Sequence, residues 1–157
     1  MVPQTVARQT LHHESYRGAD LFKTQFEATG ADLIGIGDEL ASQHLTLDDV
    51  SMAVDGRSVL TDPPYFVNAM RFAGIPTSQL ADRLGIPLGA FLVDDPTAGT
   101  FTTMSLGGKQ VMRGTVAMIA QSIHERGLPY IYDVGDVRFV VITDSEAWAA
   151  DALQQLP

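Results

Sequence analysis

The second half of the chain carries the clearest pattern of apolar and polar positions. Residues 90–93 are apolar and residues 100–106 are rich in β-branched side chains, so both segments predict strands. Residues 130–134 and 137–143 predict a hairpin around Gly135-Asp136, because glycine in the first turn position suits a type II′ turn. Val137, Phe139 and Val141 alternate along the second arm and predict one fully apolar face.

Two helices are predicted in the same half. Between residues 109 and 126 the apolar positions recur at spacings of four, three and four, which is typical of an amphipathic helix ended by Gly127; they are Met112, Val116, Ile119 and Ile123. A last helix begins with Asp144 or Ser145 as its cap. Its apolar stripe consists of Trp148, Ala152 and Leu156.

The first half gives weaker signals. Residues 15–28 predict a helix that Ser15 caps, and residues 31–45 fit either a short buried strand or a second helix. Residues 50–60 predict a hairpin whose turn is Asp55-Gly56, a type I′ signal. Residues 65–73 predict a helix that Gly74 ends.

These elements predict an α+β fold, an antiparallel β-sheet built from hairpins with helices packed mainly on one face. A chain of 157 residues fits one domain. We expect residues 1–14 to be an N-terminal tail or edge segment and residues 15–157 to be a single α+β domain.

The net charge of the chain argues against two classes of binding partner. The net charge is −9, and a negative surface repels nucleic-acid phosphates and anionic membranes, so we expect neither as a partner. The apolar runs are too short to span a bilayer. The chain has no cysteine, which excludes disulfides and thiolate chemistry and favours a cytoplasmic location.

Metal and cofactor motifs are absent from the sequence. The four histidines, His12, His13, His44 and His124, do not have the spacing of a zinc site. The many aspartates lie near predicted turns, where their side chains hydrogen-bond the local backbone. We therefore expect no metal and no cofactor.

One anion-binding turn is predicted between strand 100–106 and the helix that follows it. Gly107 and Gly108 would expose backbone N–H groups at the start of that helix. Lys109 and Arg113, four residues apart, would add positive charge on one face of it. These four residues are the candidate ligand-binding site.

Two functions remain open. The first is a non-catalytic protein-interaction or ligand-sensing module, a regulatory, inhibitor or assembly subunit that binds a protein partner, itself as a homo-oligomer, or a small anionic ligand. The alternative is a small enzyme that acts on an anionic metabolite bound by the Gly107-Gly108-Lys109 turn. Asp94 or Asp133 would then be its general base. The sequence contains no cluster of catalytic residues, which favours the first function.

Overall fold

An antiparallel β-sheet and three helices form the computed structural model, which describes residues 3, 5–56, 65–79, 101–114, 118–119 and 126–157. Seven strands follow one another across the sheet in the order β3-β4-β5-β10-β9-β7-β6, and every neighbouring pair is antiparallel. The predicted fold class, α+β with an antiparallel sheet, is confirmed.

The seven strands are β3 His12–Arg17, β4 Val50–Gly56, β5 Tyr65–Phe72, β6 Phe101–Leu106, β7 Lys109–Gly114, β9 Arg126–Val134 and β10 Val137–Thr143. The short strand β8, Met118–Ile119, also pairs with β9. A separate small hairpin consists of β1 Thr5–Val6 and β2 Gln9–Thr10. The helices are α1 Gly18–Phe26, α2 Gly30–Ala41 and α3 Glu146–Gln154, and single 3-10 turns lie at Leu47–Asp49 and Thr77–Gln79.

The helices divide between the two faces of the sheet. Two of the three, α1 and α2, share one face, where Leu21 and Ile36 pack against Met70 and Phe72. We call it the α1–α2 face. Helix α3 packs on the opposite face, the α3 face, where Trp148, Ala149, Ala152 and Leu153 contact Val67, Phe139 and Val141. Strand β10 lies between these layers and is buried along its whole length.

Several predicted elements are confirmed. The predicted strand 100–106 is β6 over residues 101–106, and the predicted 130–143 hairpin is β9–β10, with Gly135 at φ +58° as a type II′ turn requires. Ser145 caps the last helix by accepting a hydrogen bond from the N–H of Trp148. Residues 31–45 fitted either a strand or a helix, and residues 31–41 lie in helix α2, which begins with a capping box between Thr29 and Asp32.

Two predicted helices are strands. Residues 109–114 form β7 and residues 65–72 form β5, so both helix predictions are wrong there. Each of these strands carries apolar side chains on both faces: Val111 contacts the α3 cluster while Met112 packs against Ile131 and Val140. A strand that is covered on both sides lacks strict alternation, and its apolar spacing imitates a helix.

The other corrections lie in the first half. The first helix begins at Gly18, and Ser15, its predicted cap, belongs to strand β3. Asp55 and Gly56 do not form the predicted turn but continue strand β4, which pairs with β5. The predicted hairpin arm 57–60 and the predicted strand 90–93 lie outside the described residues. No helix within the described ranges is long and apolar enough to cross a membrane.

Candidate functional site

The α3 face of the sheet has a covered half and an open half. Helix α3, together with Val6 and Leu11, packs over the part of the face that carries Phe139 and Tyr130. Strands β3 and β4 lie beyond this cover, and there Ser15 and Arg17 are exposed. The open half is therefore the part of this face that can meet a ligand.

Two arginines and a serine form one row across the open half. Ser51 of β4 pairs with Arg17 of β3 on one side and with Arg71 of β5 on the other. Paired residues of antiparallel strands point to the same face, so the three side chains share the α3 face. Two strand spacings place the arginine Cα atoms roughly 10 Å apart. We call these three residues the arginine row.

Each arginine is held through its Nε atom. Arg17 donates Nε–H to the carbonyl oxygen of Asp48 at 2.5 Å, and Arg71 donates Nε–H to Oδ2 of Asp136 at 2.8 Å. The same Oδ2 accepts a hydrogen bond from the backbone N–H of Gly74, which, with the Arg71 contact, lowers the pKa of Asp136. The Nη groups of both arginines donate to no described residue, so they remain available to a ligand.

A groove of about 370 Å³ runs along the arginine row. Ser15, Ala53, Ala69 and Val137 contribute its remaining side chains on this face, and its lining is mostly apolar. Alanine and serine leave room above the strands that larger side chains would fill. A groove of this volume lies at the small end of the range of ligand pockets, 300–1,000 Å³.

A second cavity of about 290 Å³ adjoins the same row from the other side. Arg17, Ser51 and Arg71 line both cavities, but here the other lining residues are Asp48, Asp49 and Ala73. Oδ2 of Asp49 is engaged by the backbone N–H and the hydroxyl of Thr46. The side-chain carboxylate of Asp48 accepts no hydrogen bond from a described residue.

A histidine–aspartate pair lies farther along strands β3 and β4. Nδ1 of His13 is 2.6 Å from Oδ1 of Asp55, whose side chain is fully buried, whereas half of the His13 side chain is exposed. The other oxygen of Asp55 has no hydrogen-bond partner among the described residues. Burial is the main reason that the pKa of Asp55 is raised, against the opposing hydrogen bond from His13. Neither residue lines the two cavities.

The turn predicted to bind an anion connects two strands. Gly107 and Gly108 form the β6–β7 hairpin turn, both with positive φ, so no helix begins at Lys109. Lys109 lies over the Tyr132 ring, with Nζ 5.9 Å from the ring centroid. Nη1 of Arg113 lies 3.5 Å from Oε2 of Glu146 and forms an ion pair with it. Because a strand and not a helix follows the turn, no helix dipole supports anion binding there. Ligand binding by Gly107, Gly108, Lys109 and Arg113 stays a prediction.

The structure separates the predicted residues from the arginine row. Lys109 and Arg113 line neither of the two cavities. Asp133, a candidate general base, instead accepts two hydrogen bonds from Arg138, at 2.9 and 3.0 Å, and Asp94 lies outside the described residues. Among the residues that the structure describes, no three His, Asp or Glu side chains come together as metal ligands.

Sequence reasoning missed the arginine row because its members are far apart in the chain. Arg17 lies in a segment predicted to be a helix and Arg71 in another, while Ser51 lies in a predicted hairpin strand. A strand assignment for all three segments would have been the necessary signal. Comparison with protein-family models, with curated proteins and with solved structures finds no match to this chain.

Proposed function

We propose that this protein is a non-catalytic binding module whose ligand is a small molecule with an anionic group next to an apolar body. The observation that carries the proposal is the arginine row beside the 370 Å³ groove. The anionic group would lie between Arg17 and Arg71, and the apolar body would lie over Ala53 and Ala69.

The hydrogen bonds of the two arginines support this function. A guanidinium group presents several N–H donors in a planar fork that matches carboxylates and phosphates. Because Nε of each arginine is already held, less side-chain freedom is lost when a ligand binds the Nη groups. Hydroxyl donation from Ser51, midway between them, would add a third contact.

The lining of the groove supports binding without catalysis. The described residues around it contribute hydroxyl, guanidinium and apolar groups, and none contributes an imidazole, amine or carboxylate. A general base within hydrogen-bond reach of the ligand is needed for most acid–base and nucleophilic mechanisms. The apolar groove itself offers no general base to the part of the ligand that lies in it, which favours a regulatory or sensing role over the alternative role as an enzyme.

Calorimetric titration with 4-methylpentanoate tests the proposal, with the uncharged 4-methylpentanamide as the comparison ligand. We expect the carboxylate to bind at least tenfold more tightly, because hydrogen bonds to charged groups contribute about 1.5–3 kcal/mol. Ala53→Leu, which fills the groove, should abolish binding. Ala147→Leu makes the same change at an exposed position of α3 and should leave binding unchanged.

Two results would overturn the proposal. One is equal binding of the carboxylate and the amide, since the arginine row would then contribute nothing. The other is unchanged binding by Ala53→Leu, provided that its thermal unfolding shows that the variant is folded. In that case the ligand would bind elsewhere on the molecule.

A further inference from the structure

The two cavities beside the arginine row differ in chemistry. The larger one presents Ala53, Ala69 and Val137, whereas the smaller one presents the aspartates Asp48 and Asp49. A ligand on the arginine row thus has an apolar surface on one side and two aspartate residues on the other. A ligand that carries only a negative group would leave the acidic side unused and would be repelled by it.

We infer that the ligand is a zwitterion, an α-amino acid with an aliphatic side chain, an assignment that rests on the function proposed above. Its carboxylate would accept hydrogen bonds from Arg17 and Arg71. Its ammonium group would face Asp48 in the smaller cavity, and its side chain would lie in the apolar groove. One α-carbon joins all three groups, which matches a row of residues that lines both cavities.

Asp48 is the carboxylate available to the ammonium group. Its backbone oxygen accepts from Arg17, but its side chain accepts no hydrogen bond from a described residue, and the residue is exposed. Asp49 is already engaged by Thr46. The Asp49 carboxylate therefore has a local structural role at Thr46. The Asp48 carboxylate is left to form an ion pair with the ammonium group of the ligand.

The charge of the whole chain favours a zwitterion over a simple anion. The net charge of −9 gives a negative field that opposes the approach of an anionic ligand. An amino acid at neutral pH has no net charge, so it does not meet this long-range repulsion. It still supplies a carboxylate for the arginines at short range, where hydrogen bonds dominate.

Ligands that each lack one group test the inference. Calorimetry would compare L-alanine, L-valine and L-leucine with 4-methylpentanoate, which lacks the ammonium group of leucine, and with leucinamide, which lacks its carboxylate. We expect leucine to bind roughly tenfold more tightly than either analogue, because each loses one charge-assisted contact. Affinity should also rise from alanine to leucine as more apolar surface enters the groove.

A substitution of Asp48 separates the inference from the proposed function. Asp48→Asn should weaken leucine about tenfold and should leave 4-methylpentanoate unchanged or bind it more tightly, because a repelling carboxylate is removed. Asp38→Asn, at an exposed position on α2, is the matched control and should change neither ligand.

The outcomes are distinguishable. If 4-methylpentanoate binds as tightly as leucine, or if Asp48→Asn weakens both ligands equally, the zwitterion assignment is overturned and the anion-binding groove stands. If no amino acid and no carboxylate binds, the inference and the proposed function fall together. Tighter binding of leucine that Asp48→Asn removes supports both.

Discussion

Nδ1 of His13 lies 2.6 Å from Oδ1 of Asp55, a carboxylate whose side chain is fully buried. The second carboxylate oxygen of Asp55 accepts no hydrogen bond within the part of the chain that the structure describes, and burial raises the pKa of the group. Strand β4 therefore carries a carboxyl group whose pKa is higher in the folded protein than that of an unperturbed aspartate. An ordinary surface aspartate would have its pKa near 3.9.

Asp55→Asn should make the protein less sensitive to pH. A group whose pKa is raised on folding adds stability below its unfolded pKa, and that stability is lost as pH rises through the folded pKa. The variant, with no charge to bury, should therefore gain free energy of unfolding relative to the wild type as pH rises from about 4. Urea denaturation across this range measures the difference, and Asp144→Asn, at an exposed position, is the control. A difference that stays constant with pH would contradict the expected burial effect.

Asp136→Asn should have the opposite pH dependence. The backbone N–H of Gly74 and the Arg71 guanidinium lower the pKa of Asp136, so its contribution is present above the unfolded pKa and is lost as pH falls through the folded pKa. At neutral pH the variant should lose about 1 kcal/mol, a low value because Arg71 is half exposed. The deficit should shrink in acid. Urea denaturation at pH 7 and in acid tests this, and a deficit that persists in acid would show that the charge is not responsible.

Alanine substitutions at Gly107 and Gly108, in the β6–β7 turn, should reduce the free energy of unfolding by different amounts. At Gly107 a Cβ atom would lie 2.5 Å from the carbonyl oxygen of Ala150 in α3, whereas at Gly108 it would meet nothing within 4 Å. Both residues have positive φ. Gly108→Ala should therefore cost about 1 kcal/mol and Gly107→Ala about 2–4 kcal/mol. Denaturant unfolding of the two variants measures these losses of stability. Equal losses would mean that the turn does not pack against α3.

The sequence predicts best where local turn chemistry and strand pattern agree. Gly135-Asp136 predicts a hairpin on its own, and the apolar strand that follows it is buried in the centre of the sheet. The cap at Ser145 is equally local, because a serine side chain satisfies an N–H three residues away. Such features do not depend on the rest of the fold.

The prediction fails where both faces of a strand are covered. In β5, Val67 packs in the α3 cluster while Met70 and Phe72 pack with α1 and α2. Apolar residues on both faces remove the two-residue period, and the remaining spacing looks helical. The arginine row could not be predicted for a further reason. Arg17 and Arg71 become neighbours of Ser51 only through strand order and register, which no local sequence pattern specifies.

The most direct measurement is an amide NMR titration of the intact chain with 4-methylpentanoate. We predict that the largest shift changes occur at Arg17, Ser51 and Arg71, and that Arg17→Gln weakens the binding about tenfold without unfolding the protein. Shift changes centred on Gly107, Gly108, Lys109 and Arg113, or none at any residue, would contradict a ligand site on the arginine row.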